Sequence, residues 1–119
     1  MLSKPHRLQS EEEIRAVLRR GVCVSTAGVR ICARPATGKS GRTAIVVGKK
    51  VDKRAVVRHR YQRWLRELAR EHLALPGGLA QYDMVWLAQP SIVKHGQLAA
   101  LRAEATDCAK RLIKRLSIE

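Results

Sequence analysis

The pattern of apolar and polar positions divides the chain into alternating helical and extended segments. In three segments the apolar residues recur every three to four positions, which predicts amphipathic helices. Between them apolar residues alternate with polar ones or run together, which predicts strands of a partly or fully buried sheet. The order of these segments predicts an α+β fold in which helices cover one small sheet.

The first helix is predicted to begin after Ser10 and to end at Gly21. Ser10 and Glu13 have the spacing of a capping box, and three acidic residues fall in the first turn, where the helix dipole favours them. One face of this helix is apolar and carries Ile14, Val17 and Leu18.

The next segment, Val22 to Pro35, is rich in β-branched residues and is predicted to be extended. Its second half alternates between an apolar set and a second, largely basic set: Val29, Ile31 and Ala33 against Arg30, Cys32 and Arg34. Glycine and serine at 36–41 predict a hairpin loop. Thr43 to Val47 is apolar enough to be a central strand.

A further buried strand is predicted from Asp83 to Ala88, before Pro90. The strand–helix–strand order from Thr43 to Ala88 predicts two parallel strands joined by a crossover, right-handed by the general rule. A break is predicted at 75–78, and a last helix from Gln97 to Leu116 has one apolar and one mainly basic face.

The segment from Lys49 to Arg70 concentrates positive charge on a predicted helix. Its apolar stripe consists of Val57, Tyr61, Trp64, Leu65 and Leu68. The other positions carry Lys49, Lys50, Lys53, Arg54, Arg58, His59, Arg60, Arg63, Arg66 and Arg70. Asp52 is placed to cap the helix start. Because like charges on one face destabilise an isolated helix and guanidinium groups bind phosphate bidentately, we interpret this segment as a polyanion-binding element.

Composition supports a nucleic-acid partner. The 119 residues predict one domain, 1–119, and carry a formal net charge of +14. We expect no membrane association, because the sequence lacks an apolar run of transmembrane length, a signal-peptide pattern and any Phe for interfacial anchoring. Three cysteines without CxxC spacing predict buried thiols in a reducing cytoplasm rather than a disulfide framework or a zinc site.

The sequence offers little for catalysis by the protein itself. Its four histidines are scattered and its few acidic residues are better explained as helix-start residues. Gly38-Lys39-Ser40 imitates the end of a phosphate-binding loop, but the glycine required before it is missing. We expect a binding protein with no catalytic residues and no metal site of its own.

Two stretches resemble the protein subunit of bacterial ribonuclease P. The family motif V-[SG]-K-K, followed by A-V-x-R-N-R-x-K-R-x-x-R-E, is matched by Val47–Lys50 and Ala55–Glu67. Tyr82–Ala88 is similar to the last strand of the family. The resemblance covers nearly the whole chain and implies a compact sandwich of a four-stranded mixed sheet with three to four helices, whose crossover is left-handed.

The resemblance also implies a function. The family's protein binds a catalytic RNA and the 5′ leader of precursor tRNA, and promotes Mg²⁺-dependent removal of that leader by the RNA. It implies that Mg²⁺ is bound mainly by the RNA and that the protein alone is monomeric. The resemblance implies that the catalytic RNA is contacted by Lys49, Lys50, Arg54, Arg58, Arg60, Arg63 and Arg66. We add Lys53, His59 and Arg70 of the same basic segment to the predicted contacts.

The chain departs from the family pattern at several positions. His59 replaces the family's Asn, and Gln62 stands where Lys is usual. The aromatic residues of the family's leader cleft are replaced at the matching positions by Ile14, Leu18 and Cys32, so the first two could equally be core residues. The resemblance therefore implies leader binding by shape and charge, through Arg7, Ile14, Leu18, Arg30, Cys32 and Arg34.

Three other functions share the basic charge. A ribosome-associated RNA-binding protein would share every electrostatic feature, and only the ordered motif after Val47 distinguishes the two hypotheses. A DNA-binding module would be expected to show a helix-turn-helix or a dimer repeat, and the sequence shows neither. A stand-alone nuclease would cleave RNA without an RNA partner.

Overall fold

A computed structural model of the chain describes residues 10–36, 41–73 and 81–118. Its helices are α1 (Glu11–Arg20), α2 (Ala55–Leu73) and α3 (Leu98–Ile118), with a short 3-10 turn at Pro90–Lys94. Its strands are β1 (Val22–Ser25), β2 (Val29–Pro35), β3 (Thr43–Val46) and β4 (Tyr82–Ala88). Arg7, the Gly38–Ser40 imitation and the break at 75–78 lie outside the described residues.

The four strands form one mixed sheet in the order β1-β2-β4-β3. β2 pairs antiparallel with β1 and β4, and β3 pairs parallel with β4, which confirms the α+β class and the parallel pair around α2. Two predictions were wrong: β2 and β3 do not form a hairpin, because β4 lies between them, and β3 is at the edge. The apolar character of β3 reflects burial of its faces rather than strand neighbours on both sides. The hand of the crossover stays a prediction.

The two residues that flank α1, Ser10 and Gly21, each have a structural role at the end of the helix. The Ser10 hydroxyl accepts from the Glu13 amide at 3.5 Å, which confirms the predicted start. Gly21 ends the helix in an extended conformation, with φ −78° and ψ 165°. A Cβ there would lie 2.5 Å from the Val17 carbonyl oxygen and 2.7 Å from that of Ala33. The glycine is therefore required by close backbone approach rather than by a left-handed turn.

Helices cover both faces of the sheet. α2 and α3 pack on the face that carries Ile31, Met84 and Trp86, all fully buried. On the opposite face α1 inserts Val17 into a smaller cluster. That cluster also contains Cys32, Ala44 and Val85 from β2, β3 and β4. The two clusters hold the sheet as the middle layer of a sandwich.

The cysteines depart from prediction. Cys23 and Cys32 form a disulfide, although the spacing in the sequence predicted free thiols. The reason is register: Cys23 on β1 lies directly opposite Cys32 on β2. Cys108 is free and buried, as predicted, and its thiol donates to the Val24 carbonyl at 3.4 Å.

Glu104 on α3 joins three parts of the fold. Its carboxylate accepts from the Thr26 hydroxyl at 2.5 Å and the Gly28 amide at 2.7 Å, and it contacts His95 Nε2 at 2.7 Å. Tyr61 of α2 donates to the His95 carbonyl at 2.9 Å. Burial disfavours ionisation of Glu104, but these hydrogen bonds outweigh it and lower its pKa. The carboxylate thus ties the β1–β2 turn to both long helices.

No helix in the described part of the chain is both long and apolar enough to cross a lipid bilayer.

Candidate nucleic-acid interface

The turn between β3 and α2 is held by its own hydrogen bonds. The amide of Val51, which is buried, donates to the Gly48 carbonyl at 3.0 Å. Arg58, one turn into α2, reaches back and donates to the carbonyls of Asp52 at 3.0 Å and Lys53 at 2.8 Å. The turn is therefore fixed against the helix.

Asp52 stabilises the turn but does not cap the helix. Its carboxylate accepts from the Arg54 amide at 2.8 Å and pairs with the Arg54 guanidinium at 3.2 Å. Those two hydrogen bonds from Arg54 lower the pKa of Asp52. Because α2 begins at Ala55, the amide that Asp52 accepts from precedes the helix. The prediction that Asp52 accepts a hydrogen bond from a backbone amide is confirmed, whereas its predicted role as the cap of α2 is wrong.

The apolar stripe of α2 lies on the core as predicted. Tyr61, Leu65 and Leu68 are buried, and Val57 and Trp64 are half-buried at its margin. The rings of Tyr61 and Trp64 meet edge to face, with centroids 5.4 Å apart. The stripe fixes how α2 is rotated and so decides which residues point away from the protein.

The opposite side of α2 is exposed and basic. His59, Arg60, Arg63 and Arg70 are exposed and Arg66 is half-exposed. On an ideal helix these positions fall within about one third of the circumference, centred on Arg63. Lys49, Lys50 and Lys53 are exposed on the turn before the helix. Turn and helix together present one continuous group of cations.

Internal acids neutralise only part of this charge. Arg54 pairs with Asp52, Arg70 pairs with Glu67, and Arg58 is used by backbone carbonyls. Within residues 10–36, 41–73 and 81–118, no carboxylate forms an ion pair with the remaining cations. These, with the neighbouring imidazole, form the basic surface: Lys49, Lys50, Lys53, His59, Arg60, Arg63 and Arg66.

The sheet face under α1 is only partly covered. α1 lies over the row of residues that contains Cys32 and Val85. The next row along the strands is not enclosed: Ser25 and Arg30, paired on β1 and β2, are exposed, and Val46 and Leu87, paired on β3 and β4, are half-exposed. We call these four residues the open sheet surface.

The orientation of α1 decides which of its side chains border the open sheet surface. Glu13 and the pair Ile14 and Leu18 lie on opposite flanks of the stripe centred on Val17. Glu13 binds the Arg42 guanidinium, which also lies 3.6 Å from the Asp83 carboxylate at the far end of the sheet. Ile14 and Leu18 therefore face the other end of the strands, where the open sheet surface lies. Both residues are half-buried.

The six predicted leader contacts separate in the structure. Arg30 is exposed on the open sheet surface, whereas Arg34 is half-buried opposite Asp83 at the other end. Cys32 has no exposed surface and is bonded to Cys23, so it cannot contact a leader; this member of the predicted set is corrected. Ile14 and Leu18 border the surface, and Arg7 lies outside the described residues.

Three residues of the open sheet surface, Ser25, Val46 and Leu87, were not among the predicted contacts, and the last two are its apolar members. Leu87 and Val46 each follow a buried residue of the α1 cluster, Val85 and Ala44, by two positions along their strands. Strand alternation places them on the same face. Their pairing with each other depends on the β3–β4 register, which the sequence does not reveal.

Comparisons with known proteins identify relatives of this chain. The family model described as Ribonuclease P matches residues 2–115. A ribonuclease P protein component from Synechococcus sp. is 31% identical over 108 residues, covering 87% of this chain and 79% of its own length. One from Nitrosomonas europaea is 32% identical over 78 residues, covering 66% of each chain.

The chain belongs to the ribonuclease P protein family. Members of this family are the protein component of the endoribonuclease that processes tRNA.

Solved structures share the fold at low identity. The ribonuclease P protein from Thermotoga maritima, in complex with 1-(4-fluorophenyl)-2-thiourea, superposes with a TM-score of 0.76 at 19% identity, over 88% of this chain and 98% of that chain. The protein from Staphylococcus aureus superposes with a TM-score of 0.73 at 17% identity, over 93% and 94%. These likenesses confirm the predicted α+β sandwich.

The family motif coincides with the basic surface. Its first half forms the turn that Arg58 holds, and its second half supplies the exposed side of α2. His59, in place of the family's Asn, is exposed among the arginines, and Gln62, in place of Lys, is half-buried at the margin. The substitution at Gln62 therefore removes a charge from the edge of the surface rather than from its centre.

Proposed function

We propose that the basic surface binds the catalytic RNA of ribonuclease P. The observation that carries this proposal is the group of cations on α2 and its preceding turn that no described carboxylate neutralises. Arginine on a rigid helix suits phosphate, because its planar fork donates two hydrogen bonds and loses little freedom on binding. Arg54, Arg58 and Arg70 support the surface, since their guanidinium groups are already engaged within the protein.

The open sheet surface is the proposed site for the 5′ leader of precursor tRNA. Arg30 supplies a positive charge, and Leu87, Val46, Leu18 and Ile14 supply an apolar floor and wall. None of these residues is aromatic, so the site lacks the stacking that contributes about 1–3 kcal/mol per base in other single-strand sites. The leader is therefore held by backbone charge and shape, with little preference for its sequence.

The two surfaces lie near each other at one end of the sheet. Val46 is the last residue of β3, and the chain continues from it through Val47 and Gly48 to Lys49. A catalytic RNA bound to the basic surface would thus lie next to a 5′ leader bound to the open sheet surface. This proximity supports a role for the protein in joining the catalytic RNA to the leader.

The chemistry is assigned to the RNA partner. The described residues bring no three potential metal ligands together, and the cations of the basic surface repel Mg²⁺. Mg²⁺ held by RNA phosphates would supply metal-assisted hydrolysis of the phosphodiester, while the protein binds and orients. We further place the protein in the cytoplasm and propose that it is monomeric without RNA.

The test is multiple-turnover cleavage of a precursor tRNA by a bacterial ribonuclease P RNA at low millimolar Mg²⁺, with and without this protein. We expect correct 5′ processing that neither component gives alone. RNA binding without processing would reject the proposal in favour of a general RNA-binding protein. Cleavage by the protein alone would indicate a stand-alone nuclease.

A further inference from the structure

The disulfide joins two neighbouring strands of the sheet, β1 and β2. Cys23 and Cys32 are register partners on β1 and β2, with Cα atoms 4.1 Å apart. This is close to the separation of opposed residues that do not hydrogen-bond to each other in an antiparallel pair. The register of the sheet therefore places the two cysteines directly opposite each other.

The two bonded cysteines differ in exposure. Cys32 is fully buried beneath Val17 of α1, whereas Cys23 is half-buried on the edge strand β1. The third cysteine, Cys108, is fully buried in the cluster on the other face of the sheet. Burial raises its pKa to about 11, so it is protonated at neutral pH and unreactive as a nucleophile. Of the three cysteines, Cys23 is therefore the one that has a partner sulfur and is also partly exposed as a residue.

We propose that Cys23 and Cys32 form a reversible redox modification site that exchanges with small-molecule thiols and disulfides through Cys23. In reduction, a thiolate such as that of glutathione attacks Cys23 Sγ, the Cys23–Cys32 bond breaks, and Cys32 leaves as a thiolate and takes a proton. A second glutathione attacks the mixed disulfide, which releases glutathione disulfide and the Cys23 thiol. Two electrons pass from two glutathione molecules to the protein, and oxidation reverses each step.

The state of this bond bears on the open sheet surface. Ser25 comes two positions after Cys23 and Arg30 two positions before Cys32, and these two residues are register partners on that surface. β1 has only four residues and one strand neighbour, and the disulfide fixes it to β2 directly beside Arg30. Resting on the proposed function, this means that reduction loosens the margin of the leader site and weakens leader binding several-fold.

The exchange is tested on the folded protein, equilibrated with glutathione at reducing and oxidising ratios, quenched with acid and mapped by mass spectrometry. We expect reversible loss and gain of the Cys23–Cys32 bond, an intermediate with glutathione on Cys23, and unmodified Cys108. As matched variants, Cys32→Ser should accept glutathione on Cys23, and Cys23→Ser should accept none. Glutathione found first on Cys32 or Cys108, or no disulfide at an oxidising ratio, would overturn the proposal; the wild-type mapping decides if a variant does not fold.

The link to the leader is tested in the holoenzyme with precursor tRNA and with the same tRNA lacking a leader. The oxidised form should bind the leader-bearing substrate several-fold more tightly than the reduced form does. The two forms should bind the leaderless substrate with equal affinity. The double variant Cys23→Ser with Cys32→Ser should not respond to glutathione. Equal affinities of the two forms would overturn the link, whereas loss of all substrate binding in both forms would reject the proposed function and leave the mapped exchange standing.

Discussion

Two arginines five positions apart on α2, Arg58 and Arg63, have different tasks. Arg58 is half-buried and donates to two backbone carbonyls of the preceding turn, whereas Arg63 is exposed at the centre of the basic surface. The sequence presents both as equivalent members of one motif. Their surroundings predict that replacing Arg58 by alanine lowers stability, whereas replacing Arg63 by alanine weakens RNA binding.

The first prediction separates binding from stability. Arg60→Ala with Arg63→Ala should weaken binding to the ribonuclease P RNA and leave the free energy of unfolding within about 0.5 kcal/mol of wild type. Arg58→Ala should lower the free energy of unfolding by about 1 kcal/mol, because two carbonyls lose their donor. Filter binding and urea unfolding of both variants decide the matter. A fall in stability of the double variant that matches its loss of binding would make those arginines structural.

Glu104 gives a pH prediction at the same scale. Its pKa is lowered by folding, so its contribution to stability is complete above about pH 4.5 and is lost as the pH falls through the lower, folded value. Glu104→Gln should destabilise the protein by about 1–3 kcal/mol at neutral pH, since the charged acceptor of three donors is lost.

Urea unfolding at a series of pH values checks this. The gap between wild type and Glu104→Gln should narrow as the pH falls below about 4.5, because wild type then becomes uncharged at this position too. A gap that is constant with pH would show that shape, rather than charge, accounts for the effect.

At the scale of elements, α2 and the turn before it should act as one polyelectrolyte contact. Affinity for the catalytic RNA should fall with salt by about 0.7–0.9 log units per log unit of salt for each phosphate neutralised. Each arginine removed from the basic surface should lower that slope by about the same amount. Binding titrations at several salt concentrations measure it.

The matched control for the slope is Arg111→Ala. Arg111 is an exposed arginine on α3 that pairs with Asp107 and lies outside the basic surface. It should leave the slope unchanged. An equal fall in slope for Arg111→Ala and Arg63→Ala would mean that overall charge, rather than this surface, governs binding.

The helices could be predicted from sequence because their evidence is local. Ser10, Gly21 and the stripe containing Tyr61 and Leu65 each report on residues within a few positions of themselves. Strand order could not be predicted, because it depends on where β4 inserts. The disulfide depends on the β1–β2 register, the half-exposed pair Leu87 and Val46 on the β3–β4 register, and the burial of Cys32 on the packing of α1. These are contacts between residues distant in the sequence, so the sequence did not predict them.

At the scale of the whole molecule, the sandwich leaves one part of a sheet face open, and that surface lacks aromatic residues. Leu87→Phe should strengthen binding of a leader-bearing precursor tRNA by the holoenzyme, by about 1 kcal/mol or roughly fivefold, through stacking on a base. Affinity for the leaderless tRNA should not change, and this serves as the control. If both substrates gain equally, the open sheet surface does not hold the leader.

The central position of β4 has a consequence for the order in which the chain is made. β4 begins at Tyr82, and until it exists β2 and β3 each lack the strand that separates them in the finished sheet. A nascent chain that has left the ribosome only as far as α2 therefore exposes unpaired strand edges beside a strongly cationic helix. Folding must wait for the last third of the protein, so α2 can meet RNA electrostatically before the scaffold that orients it is complete.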